Sequence, residues 1–170
     1  MKKILVTGGA GFIGSHLVNK LISLNYEVTI LDNLERGDLK SILQNKLVNI
    51  KICDLTDFSK IHKYFKNQDI VIHLASKVGG IGVYVNKPYE IMSTNMQIDI
   101  NIVKAVMKYK IKKLFYASSA HIYPKNLQST SDSPAIFEHF DYPANPAPKP
   151  QNPLKVKYRM KRLALTANLL

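Results

Sequence analysis

At 170 residues, with 46% hydrophobic and 21% charged side chains, the chain has the composition of one globular domain with a sizeable core. A net charge of +12 would suit a polyanion, but the lysines are scattered (Lys2, Lys3, Lys40, Lys46, Lys51, Lys60, Lys63, Lys66). Aromatic residues do not alternate with them in sequence and no nucleic-acid motif is present, so no nucleic-acid partner is expected. No apolar run reaches membrane-spanning length and no leader pattern precedes the first strand, so a cytoplasmic protein without a membrane partner is expected. Cys53, the one cysteine, excludes an intrachain disulfide and is expected to be a small buried residue at a strand end.

Apolar runs at 3–7, 27–31, 48–52, 69–74 and 112–118 read as strands, and helical periodicity predicts helices near 12–24, 56–66 and 88–109. The first run, Ile4-Leu5-Val6, drives into Gly8, Gly9, Gly11 and Gly14 and then into a helix with Ile13, Leu17 and Leu21 on its apolar face. Glycines there let the backbone turn sharply and approach a pyrophosphate, whose charge then sits on the N–H groups of the next helix. The second strand closes on Asp32, about 20 residues further on, where a carboxylate accepts both hydroxyls of an adenosine ribose. That favours NAD over NADP, whose extra phosphate a carboxylate repels, although the nearby Arg36 argues the other way.

Asp54, after the third strand, either hydrogen-bonds an adenine or caps the next helix. The fourth strand runs into His73-Leu74-Ala75-Ser76-Lys77-Val78-Gly79-Gly80-Ile81-Gly82, whose small residues leave room for a cofactor. His73 reads as a satisfied histidine at a strand end; His16, His62 and His139 lack metal-ligand spacing, and no metal site is expected. The helix at 88–109 carries Ile91, Met96, Ile98, Ile102, Val103 and Val106. This β-α-β alternation predicts an α/β fold, a Rossmann-type doubly wound parallel sheet with helices on both faces and its ligand beyond the carboxyl ends of the strands. All of the eight prolines but Pro88 fall in 124–153, a long loop, and the segment 154–170 is basic and helix-forming.

The fifth strand ends in Tyr116-Ala117-Ser118-Ser119-Ala120-His121-Ile122-Tyr123-Pro124. Together with the glycine turn, Asp32-Asn33-Leu34, Cys53-Asp54-Leu55 and His73-Leu74-Ala75, it resembles the extended short-chain dehydrogenase/reductase family of NAD-dependent nucleotide-sugar epimerases and dehydratases. The resemblance covers residues 1 to about 146. Within the family, Gly79-Gly80-Ile81-Gly82 and Tyr116 to Pro124 are most similar to the GDP-mannose 3,5-epimerase subgroup, then to the GDP-fucose synthases. The resemblance implies a tightly held NAD that oxidises a sugar hydroxyl to a ketone and later returns the hydride, with a GDP-sugar as the favoured substrate.

On that basis Gly8, Gly11, Phe12, Ile13, Gly14, Asp32, Asn33, Asp54, Leu55, Leu74, Ala75, Ser76, Asn95 and Ser118 are the implied cofactor residues, and Gly79, Gly80 and Ile81 the implied substrate residues. Ser119 matches the serine that orients the sugar hydroxyl. The family's tyrosine base needs a cation four residues later to favour its phenolate. Tyr158 is the preferred match, with Arg162 at that spacing and Lys161 one residue nearer, although arginine is not a conservative stand-in for lysine. A rival alignment through Pro150-Gln151-Asn152-Pro153 puts Leu154 at the base and leaves the site without one. His121 stands where both subgroups carry a cysteine; it is either a substitute acid/base or a pocket-filling residue.

The expected organisation is an NAD-binding domain over 1–123, a proline-rich active-site loop over 124–153 and a partial catalytic helix of altered sequence over 154–170. Family members are about twice this length, so the chain reads as truncated before a C-terminal substrate domain. An epimerase or dehydratase is the first expectation and an inactive NAD-binding remnant the alternative. The family often dimerises through helices that here include 88–109 and the terminal one, so the resemblance allows a homodimer.

Overall fold

A computed structural model of the protein describes residues 1–79 and 86–117. Five strands, β1 (Lys3–Thr7), β2 (Glu27–Asp32), β3 (Val48–Ile52), β4 (Ile70–His73) and β5 (Lys113–Tyr116), form one parallel sheet in the order β3-β2-β1-β4-β5. The order reverses direction at β1, whose Thr7 pairs with Leu31 of β2 on one side and His73 of β4 on the other. The crevice at the carboxyl ends of β1 and β4 is therefore the topological switch point, where open α/β sheets take their ligands.

Alternation along the strands sends side chains to two cores. Ile4, Val6, Val28 and Ile30 pack under α1 (Phe12–Ser23), while Leu5, Leu31, Val71 and Leu114 pack with α2 (Phe58–Ile61) and α3 (Pro88–Lys108). The sheet is thus covered on both faces, as a parallel sheet requires.

Three expectations need correction. The helix read at 56–66 is one α-helical turn, Phe58–Ile61, tightening into a 3-10 helix over His62–Phe65. The Asp57 side chain caps it, accepting from the Ser59 and Lys60 amides, and Asn67 beyond it takes a left-handed φ of 63°. On α1 the buried face is Gly14, Ser15, Val18, Leu21 and Ile22, whereas Ile13 is 68% exposed because it lies around the helix from that face. On α3, Met96 and Val103 are half-buried, and Asp99 and Asn101 take core positions beside Ile98 and Ile102.

Both long helices end alike. Asn25 and Lys110 adopt left-handed φ of 62° and 51°, and the following amides reach back to the Leu21 and Val106 carbonyls, so the last turn's acceptors are satisfied. Lysines scattered along the chain meet aromatic rings in space: Lys104 Nζ lies 4.2 Å from the Phe58 ring centroid and Lys63 Nζ 5.3 Å from that of Tyr64. No described helix is long and apolar enough to cross a membrane.

Candidate functional site

The chain leaves β1 at Thr7 and turns at Gly8, whose φ of +70° suits glycine and whose amide donates to the Leu31 carbonyl at 2.8 Å. A Cβ on Gly8 would stand 2.7 Å from the Ala75 amide nitrogen, so the turn and the loop after β4 are in direct backbone contact. A Cβ on Gly14 would fall on the Gly8 carbonyl oxygen, which is why α1 can start so close to the strand. Gly11 occupies the N-cap with no side chain bonded to the helix end and no acid in the first turn. The positive end of α1 thus faces the crevice without an anion of its own. Phe12 and Ile13, in the first turn of α1, are both strongly exposed.

Asp32 ends β2 beside this turn, 8% exposed. Its Oδ2 accepts from the Ala10 amide at 3.0 Å and its Oδ1 from the Leu34 amide at 2.8 Å. The expected ribose acceptor is therefore also the brace of the glycine turn, and each oxygen keeps lone-pair capacity for a ligand hydroxyl. Asn33 is exposed and accepts from the Glu35 amide. Gly37, which the sequence reading passed over, packs against Ala10, where a Cβ would come within 2.7 Å of the Ala10 Cβ. The Arg36 guanidinium reaches from this loop to the Val78 carbonyl at 3.3 Å.

Of the two readings of Asp54, helix capping is excluded. Its Oδ1 accepts from the Thr56 amide and hydroxyl in a local turn, and Asp57 is the cap. Leu55 sends its side chain into the α3-side core, and Asn101 donates to its carbonyl at 2.9 Å. Cys53 is half-buried rather than buried, and burial followed by the charges of Asp54 and Asp32 pushes its thiol up to about 11. It is a poor nucleophile at neutral pH.

The loop after β4 is held from α3. Asn95 Oδ1 accepts from the Lys77 amide and the Ser76 hydroxyl, and its Nδ2 donates to the Lys77 carbonyl at 3.0 Å. Leu74, Ala75, Ser76 and Gly79 are all partly exposed along this loop. Asn95 thus fixes the loop's backbone, whatever else it touches. The Lys77 ammonium also pairs with Glu90 at 3.0 Å.

Beneath the loop lies a buried polar chain that the sequence reading did not assemble. His73 is satisfied, as expected, with Nδ1 2.6 Å from Thr7 Oγ1 and Nε2 3.0 Å from Asp99 Oδ1. The Tyr116 hydroxyl donates to Asp99 Oδ2 at 2.7 Å, and burial together with that carboxylate holds the phenol well above its ordinary range. The available signal was Asp99 itself, a carboxylate at helical spacing with Ile91, Ile98 and Ile102, which must find partners when buried.

Ser118, Ser119, His121, Gly80, Ile81, Tyr158, Lys161 and Arg162 lie outside the described residues, as do the proline-rich loop and the terminal segment. Among the described residues no group of three His, Cys, Asp or Glu side chains is placed to hold a metal. The glycine cradle, the uncapped helix end and Asp32 together fit a dinucleotide, with the pyrophosphate on α1 and a ribose at Asp32.

Residues 4–147 match the NAD dependent epimerase/dehydratase family. A UDP-N-acetyl-alpha-D-glucosaminuronate decarboxylase of Bacillus cytotoxicus is 37% identical over 134 residues, 77% of this chain and 40% of that protein. A putative UDP-glucose 4-epimerase of Methanocaldococcus jannaschii is 44% identical over 117 residues, 68% of this chain and 37% of its own length. The UDP-glucose 4-epimerase of Thermus thermophilus, solved in complex with NAD, superposes with a TM-score of 0.78 at 28% identity, over 98% of this chain and 51% of that one. The chain spans about two fifths of the length of these curated relatives.

Proposed function

Because the chain belongs to the NAD dependent epimerase/dehydratase family, we propose that it binds NAD in the crevice above β1 and β4 and serves an enzyme that reshapes the sugar of a nucleotide sugar. The observation that carries this reading is the joint geometry of the Gly8–Gly14 turn and Asp32, which leaves a helix end for phosphates and a buried carboxylate for a ribose. Bound NAD supplies a reversible acceptor for the hydrogen of a sugar carbon. The chain's own residues do the rest: Ser119 orients the sugar hydroxyl, and Tyr158 takes its proton with Arg162 or Lys161 supplying the positive charge. We assign His121, two residues after Ser119, as a further acid/base for a proton at the ring.

For the nucleoside, the sequence resemblance favoured a GDP-hexose, whereas the relatives named above carry UDP-sugars in their names. A UDP-hexose is therefore the first substrate to assay and GDP-mannose the second. Calorimetry on the full chain tests the cofactor, with NAD expected to bind more tightly than NADP; no binding of either overturns the proposal. Turnover is then followed with both sugar nucleotides, and NAD binding without turnover supports the alternative of a binding remnant.

A homodimer is proposed through the outward face of α3, where Tyr89 (80% exposed), Ile100 (48%) and Met107 (49%) align with half-buried Met96 and Val103. Light scattering tests it, and an Ile100→Glu chain that dimerises like the parent refutes it.

A further inference from the structure

Resting on the reading that the crevice holds NAD, we propose that Asp99 is a positioning residue for the cofactor loop, acting through His73 and Thr7 on the Ala75 amide. Asp99 lies on α3, 5% exposed, and receives a donor on each oxygen: Tyr116 from β5 and His73 from β4. A carboxylate only accepts, so the proton between the two groups sits on His73 Nε2. In the neutral ring Nδ1 is then an acceptor, and the Thr7 hydroxyl, 2.6 Å away, donates to it. The Thr7 oxygen is left to accept the Ala75 N–H at 3.4 Å. Every hydrogen bond from Ala75 onward points toward Asp99, so a charge on α3 sets the rotor of a hydroxyl on β1.

Ala75 is the residue whose backbone abuts Gly8, and the next two residues are held by Asn95. The chain therefore fixes the root of the loop against the phosphate turn, while Asn95 fixes its middle. Tyr116 ties the same carboxylate to β5. The Thr-His-Asp order is that of a hydrolytic relay, but Thr7 is fully buried and His73 3% exposed, which excludes attack on a substrate.

The test uses the full chain with Asp99→Asn and Thr7→Val, singly and together. The asparagine of Asp99→Asn keeps the shape and still accepts from Tyr116, but its amide nitrogen donates to His73 and drives the ring proton to Nδ1, which then donates to the Thr7 oxygen and leaves the Thr7 hydroxyl proton without its acceptor. Thr7→Val removes the hydroxyl at nearly constant shape. We expect nitrogen NMR to find His73 protonated at Nε2 in the parent and at Nδ1 in Asp99→Asn. NAD affinity by calorimetry is expected to fall about five- to tenfold in each single variant, the size of one lost hydrogen bond, and no further in the double.

Folded variants that bind NAD like the parent, or effects that add in the double, overturn the proposal. An unchanged His73 proton in Asp99→Asn does the same. Should Asp99→Asn fail to melt cooperatively, Thr7→Val decides alone. A parent chain that binds no NAD overturns the proposed function itself, whereas parental binding with unaffected variants overturns only the positioning role.

Discussion

Gly8 and Gly11 belong to one motif but meet different surroundings, and alanine at each separates architecture from ligand contact. At Gly8 a side chain must adopt φ near +70° and place its Cβ 2.7 Å from the Ala75 nitrogen and 2.8 Å from its Cα, both backbone atoms. The left-handed conformation costs about 1–2 kcal/mol and the forced displacement about 1–3, so Gly8→Ala is expected to lose about 2–5 kcal/mol. For a chain of this size that lowers the melting temperature by about 5–15 °C. At Gly11 φ is −71° and a Cβ meets only the Gly8 carbonyl at 3.3 Å, so the loss is about 1 kcal/mol or less, typical of alanine at an N-cap. Gly11→Ala nevertheless puts a methyl group at the helix end where the pyrophosphate is proposed to bind, and NAD affinity is expected to fall at least about tenfold. Thermal melts by circular dichroism, paired with NAD titrations, read both quantities. A Gly8→Ala chain that melts within about 2 °C of the parent refutes the close-approach argument.

Asp32→Asn turns one of its two oxygens into a donor facing the Ala10 or Leu34 amide, so a loss of about 1–3 kcal/mol is expected in urea unfolding. An unchanged midpoint would show that the carboxylate does not brace the turn. Lys110→Gly relieves the left-handed φ at the end of α3 and is expected to stabilise the chain by about 0.5–1 kcal/mol, raising the melting temperature; a lower one contradicts the assignment. Cys53, with its thiol pushed up to about 11, is expected to react slowly with iodoacetamide at pH 7.5 and faster as pH climbs toward 11 and thiolate forms. Rapid alkylation of the folded chain at pH 7.5 would place the thiol in a different environment.

Strand positions were legible because each run is short, apolar and bounded by turn residues, and all five fall within a few residues of their observed bounds. Helix faces were less so. Ile13 was read with Leu17 and Leu21 as one apolar stripe of α1, yet it stands in solvent, since the small residues Gly14 and Ser15 and the side chain of Val18 set the buried face instead. The capping ambiguity at Asp54 arose because Asp54 and Asp57 both precede the same apolar run, and only the backbone conformation decides which carboxylate meets free amides.

The sequence by itself determined the parallel sheet, the glycine turn and the acid at the end of β2, because these are local patterns tied to chain geometry. Tertiary structure alone decided that Asp32 braces the turn, that Asn95 grips the loop after β4, and that Thr7, His73, Asp99 and Tyr116 form one chain. Those four residues come from three strands and a helix. Nothing in their spacing along the chain ties them together; the shared need of buried polar groups for partners does.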